Sequence, residues 1–178
     1  DYELALENLD SSLTIFERLK VEDRLAQSYY GIAAVQMATS KFDQALDNLL
    51  QSIKFSMENE QPDYTAMSNH AISVIYEKLK NYSLAITYND SALNIAEKIN
   101  DKYLIGSFLN HSGEIYLCLS KTDSALIFAD KALLVQKEIL NKVGIAHSYD
   151  LRGNIYLKKK QYNNALKNFI QAEKTLEN

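Results

Sequence analysis

The sequence has little of what tight turns need: it contains one proline and five glycines among 178 residues. A protein built from β-hairpins uses such residues at most of its turns, so their scarcity argues against a sheet-rich fold. Alanine, leucine, lysine and glutamate are abundant instead, and all four favour helices. The composition therefore predicts an all-α protein.

Other absences limit the class of function. Cys118 is the single cysteine, so no internal disulfide is expected, and no apolar run reaches the length of a membrane span. The first residues lack the pattern of a signal peptide. The net charge is −4 and the isoelectric point is near 5.4, which argues against a nucleic-acid-binding surface. We expect a soluble segment. It lies either in the cytoplasm or in the extracytoplasmic part of a membrane-anchored sensor, and the sequence leaves both locations open.

A period of 40 residues runs through the chain. Alanines recur at that interval, and each precedes a branched aliphatic residue: Ala5, Ala45, Ala85, Ala125 and Ala165. A second register of aliphatic residues repeats in step with them: Val35, Ile75, Ile115 and Ile155. Because apolar residues follow helical spacing in both segments, each repeat is predicted to be a pair of antiparallel helices. Helices are predicted to begin near residues 2, 23, 42, 62, 82, 102, 122, 143 and 162.

Residues at the predicted turns support these boundaries. Ser40 and Asn81 are suited to cap the helices that follow them, and Asn100-Asp101 supplies another cap. Pro62 fits the first turn of a helix, where its missing N–H costs nothing.

Small and aromatic residues in the last two repeats resemble the pattern of the tetratricopeptide repeat family. The matching residues are Gly113, Tyr116, Thr122, Ala125 and Ala132, and then Gly153, Tyr156, Tyr162, Ala165, Phe169 and Ala172. The resemblance implies an α-solenoid of antiparallel helix pairs, a right-handed superhelix of about nine helices. The period of 40 departs from the family's usual 34 and is similar to arrays in bacterial peptide receptors and sensors. Gln36 and Asn89 stand where the pattern has Tyr and an apolar residue.

The array is expected to occupy residues 1–178 as one domain and to be an excerpt of a larger protein. It divides into a half repeat over residues 1–21, followed by repeats over 22–61, 62–101, 102–141 and 142–178. The half repeat matches the second helix of a pair, so its first helix is absent from this sequence.

No motif for catalysis or cofactor binding stands out, so we predict neither an enzyme nor a cofactor. Cys118 is expected to be a buried or half-buried hydrophobe rather than a nucleophile. A three-residue metal site from His111 or His147 with Glu114 and Asp150 is an alternative between adjacent repeats. No helical i, i+4 pairing supports it, so no metal is predicted.

The resemblance implies that the first helix of each pair lines a concave groove. Residues at four inward positions of these helices vary from repeat to repeat in size and polarity, which suits a specific binding surface. The predicted groove residues are Gln27, Tyr30, Met37, Met67, His70, Glu77, Ser107, Asn110, Glu114, His147, Asp150 and Asn154.

Two functions follow as hypotheses. The first is a non-enzymatic scaffold that binds a protein or peptide, basic or amphipathic, in this groove. The second is a ligand- or peptide-sensing input domain of a bacterial signalling protein, either a sensor kinase or a transcriptional regulator. Apolar terminal helices also suggest self-association.

Overall fold

Nine α-helices and one short 3₁₀ helix make up residues 2–177, the part of the chain that the computed structural model describes. Asp1 and Asn178, the outer limits of the predicted array, lie outside the described residues. The α-helices are α1 (Tyr2–Leu19), α2 (Leu25–Ala38), α3 (Phe42–Glu58), α4 (Pro62–Lys78), α5 (Tyr82–Lys98), α6 (Lys102–Cys118), α7 (Thr122–Glu138), α8 (Lys142–Lys158) and α9 (Tyr162–Glu177). The 3₁₀ helix, Glu22–Arg24, precedes α2. The predicted helix starts are confirmed to within two residues, and the all-α class is confirmed.

A residue with left-handed backbone conformation follows each of the first eight α-helices, and none of these residues is glycine. Their φ angles lie between 53° and 61°, and they recur every 20 residues: Lys20, Ser40, Glu60, Lys80, Asn100, Ser120, Leu140 and Lys160. Paired backbone hydrogen bonds hold these turns. After α7, for example, Leu140 N–H donates to Lys137 O and Asn141 N–H donates to Gln136 O. This is the Schellman pattern, which satisfies carbonyls at the helix end.

Side-chain caps begin three of the helices. Asn81, Asp101 and Asn141 each accept a hydrogen bond from the backbone N–H three residues later, over 3.3, 3.0 and 3.2 Å. Pro62 occupies the first turn of α4, as predicted. The prediction for Ser40 was wrong: it is the left-handed residue of its turn, and Lys41 precedes α3 without a side-chain cap.

The chain forms two units, residues 1–95 and residues 96–178, and the division falls within α5. In the first unit, which we call the N-terminal body, α2 packs against both α3 and α4. Its core contains Ala33, Ala45, Leu49, Ile72 and Ile75. In the second, the C-terminal body, α6 packs on α7, α7 on α8 and α8 on α9, around a core that includes Leu151 and Ile155. In each body, helices adjacent in sequence pack as antiparallel pairs.

Small residues let the two helices of a pair approach closely. Ala85 is fully buried, and its carbonyl oxygen accepts a hydrogen bond of 2.6 Å from Ser73 Oγ of the preceding helix. Forty residues later Ala125 is again fully buried, and a Cβ added at Gly113 would lie 3.3 Å from Ala125 O. The repeating alanines therefore mark the closest contact within each pair, where a larger side chain would overpack the core.

Aromatic pairs fill the wider space beside this contact, and one polar pair replaces them. Tyr76 stacks on Tyr88 at 5.6 Å, and Tyr116 stacks on Phe128 at 5.2 Å between ring centroids. At the equivalent positions of α2 and α3, Asn48 Nδ2 donates to Gln36 Oε1 over 2.9 Å. The departure at Gln36 is thus matched by a second departure on the facing helix.

One further expectation about burial was wrong. Cys118, the last residue of α6, is exposed. Tyr162, one of the aromatic residues that match the family pattern, is 65% exposed at the start of α9. No helix between residues 2 and 177 combines the length and apolar character that a bilayer crossing requires.

The left-handed turn residues give a test of the fold. Leu140 is 82% exposed, so Leu140→Gly removes almost no buried surface while it relieves the strain of a Cβ at positive φ. We expect this variant to be more stable by roughly 0.5 to 1 kcal/mol in urea unfolding. Leu134→Gly is the matched control, because Leu134 is 72% exposed but lies inside α7. It should be less stable by about 1 kcal/mol. Equal destabilisation by both substitutions would contradict the left-handed turn.

Candidate functional site

An open apolar cavity of about 250 Å³ lies between α2 and α4 of the N-terminal body. Tyr30, Ala34 and Met37 contribute from α2, and His70 and Val74 contribute from α4. All five occupy the variable positions at which the sequence predicts first-helix residues to face a ligand. Leu49 and Ala71 complete the lining.

Two polar side chains, Tyr30 and His70, border this cavity, and their neighbours hold them in place. The ring of Tyr30 meets that of Tyr64 edge-on, with centroids 6.2 Å apart. Burial raises the pKa of the Tyr30 hydroxyl, and the nearby Tyr64 adds to the effect, so this group is neutral at physiological pH. His70 Nδ1 lies 3.1 Å from Asn89 Oδ1. Asn89 is 1% exposed, so the polar residue at this normally apolar position is satisfied by the histidine.

The other residues predicted for this half of the groove lie outside the cavity lining. Gln27 is exposed on α2, and Met67 and Glu77 are half-buried on α4. Only Tyr30, Met37 and His70 among the six predicted residues are therefore brought together at one cavity.

In the C-terminal body, the carboxylate of Glu114 bridges two histidines. His111 Nδ1 lies 3.3 Å from Glu114 Oε2 on the same helix, and His147 Nε2 of α8 lies 2.8 Å from Glu114 Oε1. His111 is buried, whereas the side chain of His147 is 49% exposed. The predicted residues Glu114 and His147 thus form one contact, which joins α6 to α8.

The bridge shifts the pKa values of two of its members. Burial alone would raise the pKa of Glu114, but hydrogen bonds from His111 and His147 and the positive charges of these rings lower it to about 2. For His147, the hydrogen bond to Glu114 raises the pKa, against a smaller lowering by burial. The charges of Glu114 and Asp150 raise it further. Glu114 is therefore a carboxylate throughout the physiological range, and it favours the protonated form of His147.

A smaller cavity, of about 160 Å³, lies beside this bridge between α6 and α8. Of the predicted residues, Ser107, Asn110 and His147 line it. Asn110 is only 1% exposed, and Ser148 Oγ donates to its Oδ1 over 2.9 Å. Asn110, predicted as a groove residue, is therefore buried in the wall of this cavity.

Asp150 and Asn154 occupy the exposed face of α8, where Asn154 Nδ2 donates to Asp150 Oδ2 over 3.1 Å. Asp150 and His147 also border a broader recess of about 450 Å³, whose apolar wall includes Phe169, Ala172 and Leu176 of α9. Four of the six predicted residues of the C-terminal body thus line one or both of these cavities, and Glu114 and Asn154 line neither.

Sequence reasoning missed Gln136, whose long side chain is 2% exposed in α7 and lines the smaller cavity. A Cβ on Gly106 or on Gly144 would overlap this side chain, so the two glycines make room for it. A signal was present: glutamine stands where the preceding repeats have Ser56 and Ala96, Gly106 lies in the same repeat, and Gly144 lies at the start of the next.

Metal chemistry has no support in the geometry. Among residues 2–177 no group of three or more histidine, cysteine or carboxylate side chains is arranged to hold a metal ion. The His111, Glu114 and His147 contact is a hydrogen-bonded bridge that joins two helices.

Comparison with known sequences places the repeats in context. Residues 25–98 match a family model described as Tetratricopeptide repeat, and residues 146–174 match a second family model with the same description. Anaphase-promoting complex subunit 3 of Schizosaccharomyces pombe is 24% identical over 169 residues, which cover 94% of this chain and 23% of that protein. The chain thus spans about a quarter of the length of this curated relative.

Solved structures share the fold at low sequence identity. BtubC (BKLC) from P. vanneervenii is 18% identical with a TM-score of 0.84, over 99% of this chain and 74% of that one. A Rap protein complexed with Competence and Sporulation Factor is 16% identical with a TM-score of 0.87, over 98% and 49%. A putative kinesin light chain of Podosopora anserina is 14% identical with a TM-score of 0.73, over 98% and 86%.

The bridge predicts a pH dependence. Because the folded-state pKa of His147 is raised above 6.5, its contribution to stability is complete below that pH and is lost as the pH rises through the folded-state value. Glu114→Gln removes the carboxylate, so the pKa of His147, followed by NMR of its ring protons, should fall relative to the wild type.

The stability advantage of the wild type over Glu114→Gln should also shrink as the pH rises from about 6 to about 8. Glu177→Gln, which removes an exposed carboxylate of α9, serves as the control and should leave the titration of His147 in place. A His147 pKa unchanged by Glu114→Gln would contradict the bridge.

Proposed function

Since the chain belongs to the tetratricopeptide repeat family, whose arrays are generally non-enzymatic interaction scaffolds, we propose that it binds a peptide segment of another protein through first helices, at α2 and α4 of the N-terminal body. The packed helix pairs then act as a frame, and the variable residues of these helices supply the contacts.

The observation that carries this proposal is the apolar cavity between α2 and α4. Five of its seven lining residues occupy variable first-helix positions, and the other two are frame residues, Leu49 and Ala71. Tyr30 is a suitable anchor for a ligand, because an aromatic ring with a polar tip gives a large contact area and its hydroxyl accepts or donates a hydrogen bond.

The size of the cavity favours a peptide side chain over a small-molecule cofactor. Its 250 Å³ falls below the roughly 300 to 1,000 Å³ of typical small-molecule sites. Its lining is apolar apart from Tyr30 and His70. An aliphatic or aromatic side chain of a bound segment would fill it.

Charge supports a basic or amphipathic partner. Residues 1–95, which contain the cavity, carry 14 acidic and 7 basic residues, whereas residues 96–178 carry 9 acidic and 12 basic residues. A segment with basic residues beside an apolar anchor would be attracted to the N-terminal body, more strongly at low salt. Self-association through the terminal helices stays a prediction, for which exposed Tyr2, Leu4 and Leu176 supply apolar surface.

A sensing role is the second candidate. The fold resembles half of a Rap protein whose structure was solved in complex with Competence and Sporulation Factor, so helix pairs of this kind occur in a protein that forms such a complex. For this chain, sensing would require that a bound peptide change the conformation of the repeats. A scaffold would bind without such a change.

A cavity-filling substitution tests the proposed site. Peptides would be selected from a random displayed library on the wild-type protein and measured by fluorescence anisotropy. We expect the selected peptides to share an apolar anchor with a basic neighbour. Ala34→Phe should weaken their binding at least tenfold, because the added ring occupies the cavity. Tyr30→Ala should remove on the order of 2 kcal/mol of affinity.

The control is Ala38→Phe, the same substitution one turn further along α2 at an exposed residue outside the lining. It should bind the peptides as the wild type does. If Ala34→Phe and Ala38→Phe bind equally well, the peptides are held elsewhere and the proposed site is wrong.

A further inference from the structure

The smaller cavity of the C-terminal body has the features of a separate, polar binding site. Its wall combines residues of α6, the end of α7 and the start of α8: Tyr103, Ser107, Asn110, Gln136, Asn141, Val143, Gly144 and His147. Its volume of about 160 Å³ exceeds the roughly 30 Å³ of one water molecule in the liquid. It is well below the roughly 300 Å³ at which small-molecule sites begin. A small functional group therefore suits it better than a whole cofactor.

A buried amide in this wall has an unused hydrogen-bonding atom. Asn110 is 1% exposed, and its Nδ2 has no hydrogen-bond partner among the described residues. A buried polar group without a partner is costly, so an unpaired Nδ2 beside a cavity indicates that a ligand group pairs with it there.

The unused atom remains whichever way the Asn110 amide is turned. Ser148 Oγ lies 2.9 Å from Asn110 Oδ1 and 2.9 Å from Gly144 O, but its hydroxyl has one proton to donate. If that proton goes to Gly144 O, the turned amide can donate Nδ2–H to Ser148 Oγ, and Oδ1 becomes the unpaired atom. The cavity thus presents either an unpaired N–H donor or an unpaired oxygen acceptor. An amide ligand has both a carbonyl acceptor and an N–H donor, so it can pair with either one.

Hydrogen bonds hold two other residues of the wall in place. Asn141 Nδ2 donates to Gln136 Oε1 over 2.8 Å, and Asn141 Oδ1 accepts from Gly144 N–H at the start of α8. Gln136 is 2% exposed and packs against Gly106 and Gly144. A ligand group would therefore meet a preorganised surface, which lowers the entropic cost of binding.

The lining carries no unpaired charge. Seven of its eight residues are neutral, and the eighth, His147, is hydrogen-bonded to Glu114. A carboxylate ligand would find no unpaired cation in this lining. If it bound beside His147, its negative charge would also be repelled by the carboxylate of Glu114, to which His147 is hydrogen-bonded. A neutral group is favoured over an acidic one for this reason.

We propose that this cavity binds a primary carboxamide, the terminal group of a glutamine or asparagine, with Asn110 as its hydrogen-bonding partner. The carboxamide belongs either to a side chain of a bound protein segment or to the free amino acid. A main-chain amide is disfavoured, because its flanking residues would have to enter the recess with it. This site lies entirely within the C-terminal body. The proposal does not depend on peptide binding at the apolar cavity of the N-terminal body.

The side-chain amide resonance of Asn110 in a ¹⁵N-labelled protein gives a direct test. Four probes would be titrated: acetyl-Gly-Gln-Gly N-methylamide, its Glu and Leu counterparts, and free glutamine. The N-methyl cap removes the primary carboxamide that an ordinary terminal amide would add. We expect saturable shifts of the Asn110 resonance with the Gln peptide, at least about fivefold weaker binding of the Glu peptide, and no saturable shift with the Leu peptide.

Free glutamine identifies the source of the group. If it binds as tightly as the Gln peptide, the site takes the free amino acid, and if it binds more weakly, a side chain of a partner protein is the ligand. The proposal is overturned if none of the probes shifts Asn110, which would leave an ordered water as the occupant, or if the Gln and Leu peptides bind alike.

Substitutions provide an independent check. Asn110→Leu keeps the approximate volume but removes both the amide donor and the amide acceptor, and Ser107→Val narrows the cavity from its half-buried edge. Followed by backbone amide shifts, each should weaken the Gln peptide at least about fivefold. The matched controls are Asn163→Leu and Ser124→Val, outside the lining, and both should bind as the wild type does. Thermal unfolding shows which variants are folded. The titration of the wild-type protein tests the proposal whether or not the variants fold.

Discussion

Close contact between the two helices of each repeat is the constraint on which the other features depend. Fully buried Ala85 and Ala125 allow the backbones to meet, and the facing residues, Ser73 and Gly113, are small as well. With the pair held along this line, one face of each first helix is left without a packing role. Residues on that face can differ between repeats without disturbing the frame, and it is there that the cavities form.

Departures from the repeat pattern occur in compensated sets. Gln36 replaces an aromatic ring, and Asn48 on the facing helix supplies its hydrogen-bond partner. Asn89 replaces an apolar residue and is satisfied by His70. Gln136 replaces a small residue, and glycines on two neighbouring helices accommodate it. Since a buried amide without a partner is costly, each polar change requires a second change nearby. The unpaired amide atom of Asn110 stands out against these satisfied groups.

Periodicity predicted the helices, and the family resemblance predicted part of the candidate site. The alanine register located the helix pairs, and the inward positions implied by the resemblance placed Tyr30, Met37 and His70 on one surface, where the structure has a cavity. The burial of Asn110 was not predicted, because it lies against Ser148, 38 residues away in another repeat, and one repeat's pattern does not contain that contact. The left-handed turns were missed because lysine, glutamate and leucine occupy positions where glycine would have been the signal.

The central claim is that the second helices form the frame and the first helices form the binding face. Mapping a selected peptide on the ¹⁵N-labelled protein by NMR tests it most directly. The account predicts that shift changes concentrate on the variable positions of α2 and α4 around Tyr30, Met37 and His70, and that the outer surfaces of α3 and α5 remain unaffected. Changes confined to the exposed residues of α3 and α5, with Tyr30 unmoved, would contradict it.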